Sequence, residues 1–340
     1  MSSDSTLRRP LNVVQLGAPP KGERGLIEGL VTTPVRWTYA DGSNQDAVAQ
    51  ALRHADVFVG AVLTNKMVRH ASRLRLVALA AAGYEKIDAE AVPTGCVVVN
   101  AYEHEAPIAE YVMMAAVALD HEVVEADRAL RRNDWSMWLF RRPPYRELLH
   151  RTMGVIGLGH IGRRVLRLAR AYDMRLTAVS RRAPDQATCR ELGLDWAGGV
   201  SALPRLLEES DFVVVATPLN NETMGLIGRD ELARMKRTAY LINPARGPIV
   251  DEEALYVALR DREIAGAAID VWWRYPEGDE DGIPPSRFPF ADLNNVLMTP
   301  HISGGTSGTA QRRARVVAEN IDRFYRGEPL RNVVASLSRA

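Results

Sequence analysis

Short apolar runs alternate with amphipathic stretches along nearly the whole chain. Residues 12–16, 35–39, 57–62, 76–80 and 97–100 read as strands, with helical sequence at 45–53 and around Ala71 between them. A long helix starts near Pro107. Its Ile108, Tyr111, Val112, Ala115 and Leu119 recur at i, i+3, i+4, i+7 and i+11, a continuous apolar face. The alternation resumes with strands at 153–156, 175–179, 212–216, 239–242, 267–269 and 296–298, separated by helical sequence such as 230–235 and 251–259. An amphipathic helix at 307–325, stopped by Gly327, closes the pattern and is expected to return to the first unit. Strands alternating with helices predict an α/β chain with parallel sheets, in two units.

The second unit opens on its most informative stretch. An apolar strand, 153–156, runs into Gly157-Leu158-Gly159-His160-Ile161-Gly162 and on into a helix with Ile161, Val165, Leu166 and Leu168 at helical spacing. Strand, glycine turn and helix form a dinucleotide pocket for a physical reason. Gly157 permits the tight turn, Gly159 lets backbone approach a pyrophosphate, Gly162 lets helix and strand pack closely, and the helix N-terminus offers N–H groups to the anion.

The next strand, 175–179, bears on which dinucleotide. An NAD site carries an acidic residue about 20 residues on, to accept from the adenosine ribose. That place, 18 residues past Gly162, holds Ser180, and Arg181 and Arg182 follow. A hydroxyl beside two guanidiniums suits a 2′-phosphate, so the sequence predicts NADP, with NAD possible. The alternative reading is that both arginines are solvated and the protein is indifferent.

Length and composition change this picture little: 340 residues at 46% hydrophobic and 25% charged suffice for two full cores. A net charge of +1 gives no bulk field toward nucleic acid or an anionic membrane. The two cysteines, Cys96 and Cys189, lack metal or disulfide spacing, which predicts buried free thiols, a reducing compartment and no metal site. The N-terminal decapeptide has no apolar core and no later run reaches membrane length, so a cytoplasmic protein is expected. Residues 133–151 break the periodicity with Trp135, Trp138, Phe140, Tyr145 and four arginines, a composition that predicts packing against a partner subunit.

Ligands of such sheets bind beyond the carboxyl ends of the strands. There the sequence places Thr217-Pro218, then Asn243-Pro244-Ala245-Arg246-Gly247, then Asp270-Val271-Trp272-Trp273, then Thr299-Pro300-His301-Ile302-Ser303-Gly304. An arginine, an aspartate and a histidine are thus expected around one crevice.

These segments, with 218–255 and 265–272, resemble the D-isomer-specific 2-hydroxyacid dehydrogenase family over about 74–334. The resemblance implies two Rossmann-like domains, the cofactor domain inserted into a discontinuous substrate domain: 11–102 with 303–335 for substrate, 103–302 for NAD(P). It implies a homodimer acting on a small 2-keto or 2-hydroxy acid. Arg246 matches the family's substrate arginine, whose planar fork clamps a carboxylate and polarises the adjacent carbonyl. His301 matches the acid/base. Asp270 matches the aspartate that holds the nicotinamide carboxamide, with Thr217 and Pro218 lining the ring. Thr223 and the backbone around His160 and Ile161 are expected at the cofactor phosphates, and Ala82 and Gly83 in the loop that binds the substrate carboxylate.

One position departs from the family. Its glutamate partner for the histidine, five residues past Asp270, is replaced here by Tyr275. Three readings follow: Glu277 reaches back through a shifted loop, which is favoured slightly over a histidine without a partner, or Tyr275 takes over part of the role by hydrogen bonding. Trp272, Trp273 and Tyr275 are expected to wall a pocket for an apolar side group, with packing at the domain edge as the alternative. The function expected is hydride transfer between NADP(H) and a 2-keto acid. The rivals are a nucleotide-sensing, non-catalytic family member and a dehydrogenase of another small anion of the phosphite or formate type; His104, standing where the formate enzymes carry asparagine, argues against formate.

Overall fold

The computed structural model describes residues 9–17, 25–276 and 281–338. Among them the chain divides into two compact units, one running to Glu103 and resuming at Thr306, the other spanning His104–Gly305.

The first unit holds β1 (Leu11–Leu16), β2 (Val35–Ala40), β3 (Val57–Val59), β4 (Leu76–Ala78) and β5 (Val97–Val99), paired in parallel in the order β2-β1-β3-β4-β5. The central strands are short and rich in valine because both faces are covered, so neither need be polar. One face packs on the helix Gln45–Leu52 through Val48 and Leu52. The other is closed by the C-terminal helix Ser307–Arg326, whose Ala314, Val317 and Ile321 meet Val13, Val57 and Val59. Gly327 ends that helix in the left-handed region, φ 73°. Around Ala71 the expected helix lies earlier, at Asn65–Val68. Thr64 caps it there, and Ala71 follows in a turn.

The second unit holds β6 (Thr152–Ile156), β7 (Arg175–Val179), β8 (Trp196–Gly198), β9 (Phe212–Val215), β10 (Tyr240–Asn243), β11 (Gly266–Ile269) and β12 (Val296–Met298) in the order β12-β11-β10-β9-β6-β7-β8, all parallel. Strand order reverses between β6 and β9, which opens a crevice at their carboxyl ends. Strand β8 escapes the periodicity because it is a half-buried edge of three residues, Trp-Ala-Gly, with no apolar run to mark it.

The helix Glu105–Asp120 belongs to this second unit and packs along the helix His160–Arg170. Its buried face carries Ile108, Tyr111, Val112 and Ala115, as its periodicity predicts. The segment that follows divides in two. Trp135, Trp138, Phe140 and Tyr145 are exposed, Phe140 by 75%. Arg151 instead turns inward, pairing with Asp120 and stacking its guanidinium 4.6 Å from the Phe212 ring. Both cysteines are free; Cys96 is buried, its thiol pushed up to about 12 by desolvation, while Cys189 is only half-buried. No helix among the described residues is long and apolar enough to cross a membrane.

Candidate active site

The glycine turn forms where β6 meets the dinucleotide helix, and each glycine has a separate reason to lack a side chain. Gly157 sits at φ +108°, and a Cβ there would stand 2.5 Å from the Ala216 carbonyl oxygen at the end of β9. This glycine therefore lets the two strand ends close on one another at the switch point. A Cβ on Gly162 would collide with the Gly157 carbonyl, so helix and turn could not pack. At Gly159, the helix N-cap, a Cβ would meet nothing within 4 Å, and no side chain caps the helix. That open cradle at a helix N-terminus fits a dinucleotide pyrophosphate, with His160 and Ile161 in the first turn.

Ser180 follows β7 and donates from Oγ to the Arg182 carbonyl at 2.7 Å, a tight turn that leaves Arg181 and Arg182 exposed. Beyond β9, Thr217 and Pro218 continue from the strand end beside Gly157. Thr223 is engaged within its own turn, donating to the Pro218 carbonyl at 2.6 Å and accepting from the Asn220 N–H at 2.9 Å. Its hydroxyl thus shapes the 218–224 turn.

Arg246 is placed by a staple at the end of β10. Buried Asn243 donates from Nδ2 to the Arg246 carbonyl at 3.0 Å and accepts from the Ala245 N–H at 3.1 Å. The guanidinium, half-buried, donates to the Ala245 carbonyl at 2.7 Å. A Cβ on Gly247 would stand 2.5 Å from the Trp272 backbone, so this glycine lets the loops after β10 and β11 touch. Arginine and histidine loops are thereby drawn to one edge of the sheet.

Asp270, at the end of β11, is fully buried and its carboxylate is turned inward. It accepts from Thr299 Oγ1 at 2.6 Å, Ile302 N–H at 2.9 Å and Ser303 N–H at 2.9 Å. Tyr111, from the long helix, reaches Thr299 Oγ1 at 2.8 Å, and because Thr299 donates to Asp270 the phenol is the donor. Burial pushes the Tyr111 phenol up to about 12, so it stays protonated and the chain Tyr111, Thr299, Asp270 keeps its direction. In this geometry Asp270 anchors the loop that presents His301, a role read from the carboxylate's partners rather than from sequence spacing. His301 itself sits at φ 58°, a left-handed conformation that the anchored loop imposes.

The ring of His301 has a partner among the described residues, and it is Tyr275. The phenol oxygen lies 3.0 Å from His301 Nδ1 and accepts from the Trp272 N–H at 3.1 Å. Glu277, the partner favoured from sequence, lies outside the described residues. Burial pushes the proton affinity of His301 below its ordinary value; Asp270 pulls it up and Arg246 pushes it down. The two tryptophans do not wall a pocket. Trp272 is 5% exposed, with its indole N–H on the Thr299 carbonyl at 2.9 Å. Trp273 stacks on Phe290 and donates to the Val250 carbonyl at 3.0 Å. Trp272 lies in the core that carries the loop and Trp273 packs half-buried against it, while Tyr275, 47% exposed, stands at the surface.

In the first unit, the loop with Ala82 and Gly83 is tied down by Asn100, whose Nδ2 donates to the Ala82 carbonyl at 2.8 Å. Sequence reasoning missed Tyr111 and Thr299 as parts of the His301 support. Tyr111 hides inside an apolar helical face, and only the packing shows that its hydroxyl has a use.

A glycine cradle at a sheet switch point, with an arginine and a histidine past strand ends on the same edge of that sheet, defines a dinucleotide-linked oxidoreductase. The family model described as "D-isomer specific 2-hydroxyacid dehydrogenase, NAD binding domain" matches residues 113–303. The chain belongs to the D-isomer-specific 2-hydroxyacid dehydrogenase family. It is 40% identical over 271 residues to a glyoxylate reductase of Korarchaeum cryptofilum, covering 78% of this chain and 77% of that one. It is 32% identical over 300 residues to a D-3-phosphoglycerate dehydrogenase of Methanocaldococcus jannaschii, covering 87% of this chain and 54% of that longer one. The holo structure of Rhodotorula graminis D-mandelate dehydrogenase shares the fold, with a TM-score of 0.81 at 24% identity, over 96% of this chain and 98% of that one. Membership makes this protein an NAD(P)-dependent oxidoreductase acting on the CH–OH group, coupling a 2-keto acid to a D-2-hydroxy acid.

Proposed function

We propose that this enzyme is an NADP-preferring reductase of a small 2-keto acid, with Arg246 as carboxylate clamp and His301 as acid/base. The observation that carries the reading is the junction at Gly247 and Trp272, which draws the Arg246 loop and the anchored His301 loop together at the carboxyl edge of the sheet that bears the glycine cradle. A bound nicotinamide supplies the hydride in reduction and takes it in oxidation. The residues of this chain do the rest. The Arg246 fork pairs with the substrate carboxylate, fixes its plane and polarises the neighbouring carbonyl. His301 Nε2, the ring nitrogen not turned to Tyr275, gives the carbonyl oxygen its proton as hydride arrives and takes a replacement from solvent.

Two observations support NADP. The carboxylate that would accept from an adenosine 2′-hydroxyl and repel a 2′-phosphate is absent at Ser180, and Arg181 and Arg182 stand exposed beside it. The names of the relatives point to glyoxylate as the first substrate to try. The test is loss of NADPH and, separately, NADH absorbance against glyoxylate, hydroxypyruvate, pyruvate and phenylpyruvate. Turnover with NADPH at least about tenfold more efficient than with NADH is expected. Arg181→Ala with Arg182→Ala should raise the KM for NADPH by about 10- to 100-fold while leaving that for NADH within about twofold. Equal efficiency with both cofactors in the unaltered enzyme would overturn the NADP preference.

A further inference from the structure

We propose that Tyr275 is the positioning residue of His301: an uncharged phenol that donates to Nδ1 when the imidazole is neutral and accepts from it when the ring is charged. The proposal rests on the reading of His301 as acid/base, and it adds how this chain sets the proton on that ring.

The geometry suits a donating phenol when the ring is neutral. The Tyr275 oxygen accepts from the Trp272 backbone N–H at 3.1 Å, and His301 Nδ1 stands 3.0 Å away as an acceptor for the phenol hydrogen. On this proposal a neutral His301 carries its hydrogen on Nε2, the nitrogen that meets the substrate oxygen. The phenol is fixed at both ends. Trp272 is held by its indole on the Thr299 carbonyl, and Thr299 is in turn bonded to Asp270, the same carboxylate that anchors the His301 loop. Partner and histidine are thus mounted on one network, which keeps their separation constant.

When the imidazole takes a second proton, Nδ1–H becomes a donor. The Tyr275 oxygen still has a lone pair for it, and the hydroxyl hydrogen turns outward, which the 47% exposure of this residue permits. Both protonation states are hydrogen-bonded, yet neither meets a negative charge at this position, because burial keeps the phenol itself protonated. Among the described residues, the charged groups facing the ring are Asp270 from the end of β11 and Arg246 from the end of β10, of opposite sign. Tyr111 acts only through Thr299, and His104 packs beside Gly304 at the foot of the loop. With burial added, the balance leaves His301 easier to deprotonate than an ordinary imidazole.

The consequence is a reductase gated by pH. Each turnover in the reductive direction moves one proton from Nε2 to the carbonyl oxygen as that carbon gains a hydride; the O–H bond forms, the N–H bond breaks, and the neutral ring takes the next proton from water. The charged ring is abundant only below the ordinary histidine value, near 6.5. The reductive kcat/KM is therefore highest in mild acid and falls as pH rises. The neutral ring, the base needed for oxidation of the hydroxy acid, is already formed at neutral pH.

The test combines pH profiles with a measurement that needs no turnover. Protein labelled with 15N-histidine reports the tautomer and titration of His301, assigned by its loss in His301→Gln, and the same samples give the reductive kcat/KM from pH 5 to 9. The expected result is an Nε2–H tautomer and a midpoint below about 6.5 in the unaltered enzyme. Tyr275→Glu should move the midpoint up by about a unit or more, because a carboxylate favours the charged ring. Tyr275→Phe should lose the tautomer preference and lower kcat about 5- to 10-fold with KM within about twofold, and Tyr275→Gln should restore part of that loss. An unchanged His301 tautomer and titration in Tyr275→Phe, or an unchanged midpoint in Tyr275→Glu, would overturn the proposal. Absence of turnover on every keto acid, with the tautomer result intact, would sink the functional reading and leave the assignment of Tyr275 standing.

Discussion

On the proposed function, Arg246 and His301 are the side chains whose chemistry cannot be supplied by neighbours. Arg246→Lys keeps the charge but loses the planar fork, so the carboxylate is held at a point rather than a plane. A drop in kcat/KM of about 100-fold or more is expected, carried by both KM and kcat. His301→Gln keeps a hydrogen-bond donor but removes proton transfer, and kcat should fall by about 10²- to 10⁴-fold. NADPH affinity, measured by fluorescence titration, should hardly change in either variant; a matching loss of cofactor binding would mean that the residue holds the nucleotide and not the substrate. The placement of both residues at strand ends was legible in sequence, because each stands in a run of polar and glycine residues just past an apolar strand. Tyr275 was legible only as a departure. Which groups face the histidine depends on a loop path; among the described residues the phenol, held by the Trp272 N–H, is the one on its ring, and Glu277 lies outside them.

Among the elements, the C-terminal helix Ser307–Arg326 shows how a single buried carboxylate ties distant parts of the chain. Asp322 is 6% exposed and accepts from the backbone N–H and hydroxyl of both Thr32 and Thr33, at 2.6–3.2 Å. Burial alone would raise this carboxyl, but the threonine donors outweigh it and hold it below the usual carboxylate range. Its contribution is therefore fully present above the unfolded value, about 3.9, and is lost as pH falls through the lower folded value. Asp322→Ala leaves buried donors without acceptors, and a loss of about 2–4 kcal/mol by urea unfolding at pH 7 is expected. Asp322→Asn should lose less and flatten the dependence below pH 4. Equal stability of Asp322→Ala and the unaltered protein at pH 7 would show that the threonines find water instead. The helix and its Gly327 stop were readable from periodicity. Its pairing with residues 290 positions earlier was not, since the signal for Asp322 is one acid on a helix rich in charge.

For the whole molecule, the exposed aromatic segment is the feature that asks for a partner. Trp135, Trp138 and Phe140 form an edge-to-face ladder, with ring centroids 6.4 and 5.0 Å apart, at the surface of the second unit. Contiguous apolar surface of this kind marks an interface. A second copy of the chain is the expected partner, consistent with the reading from the family. Light scattering coupled to size exclusion should give twice the chain mass, and Trp138→Ser with Phe140→Ser should shift the equilibrium toward the single chain. A monomer in the unaltered protein at micromolar concentration would remove the homodimer from the account.

The sequence by itself determined the alternation of strand and helix, the two units, the glycine turn and the polar runs after the strands. Each of these is set by local requirements: periodicity of burial, the left-handed turn at Gly157, the ending of a strand. Tertiary structure alone decided the network around His301. Tyr111 in an apolar helix, Thr299 and Asp270 at two strand ends, and Tyr275 on a loop between them lie far apart in the chain. They meet because β11 and β12 pair in register and the long helix packs across the same sheet. Hydrogen bonds between such residues leave no period and no spacing in the sequence. They are fixed by packing, and packing here put an uncharged partner on the histidine.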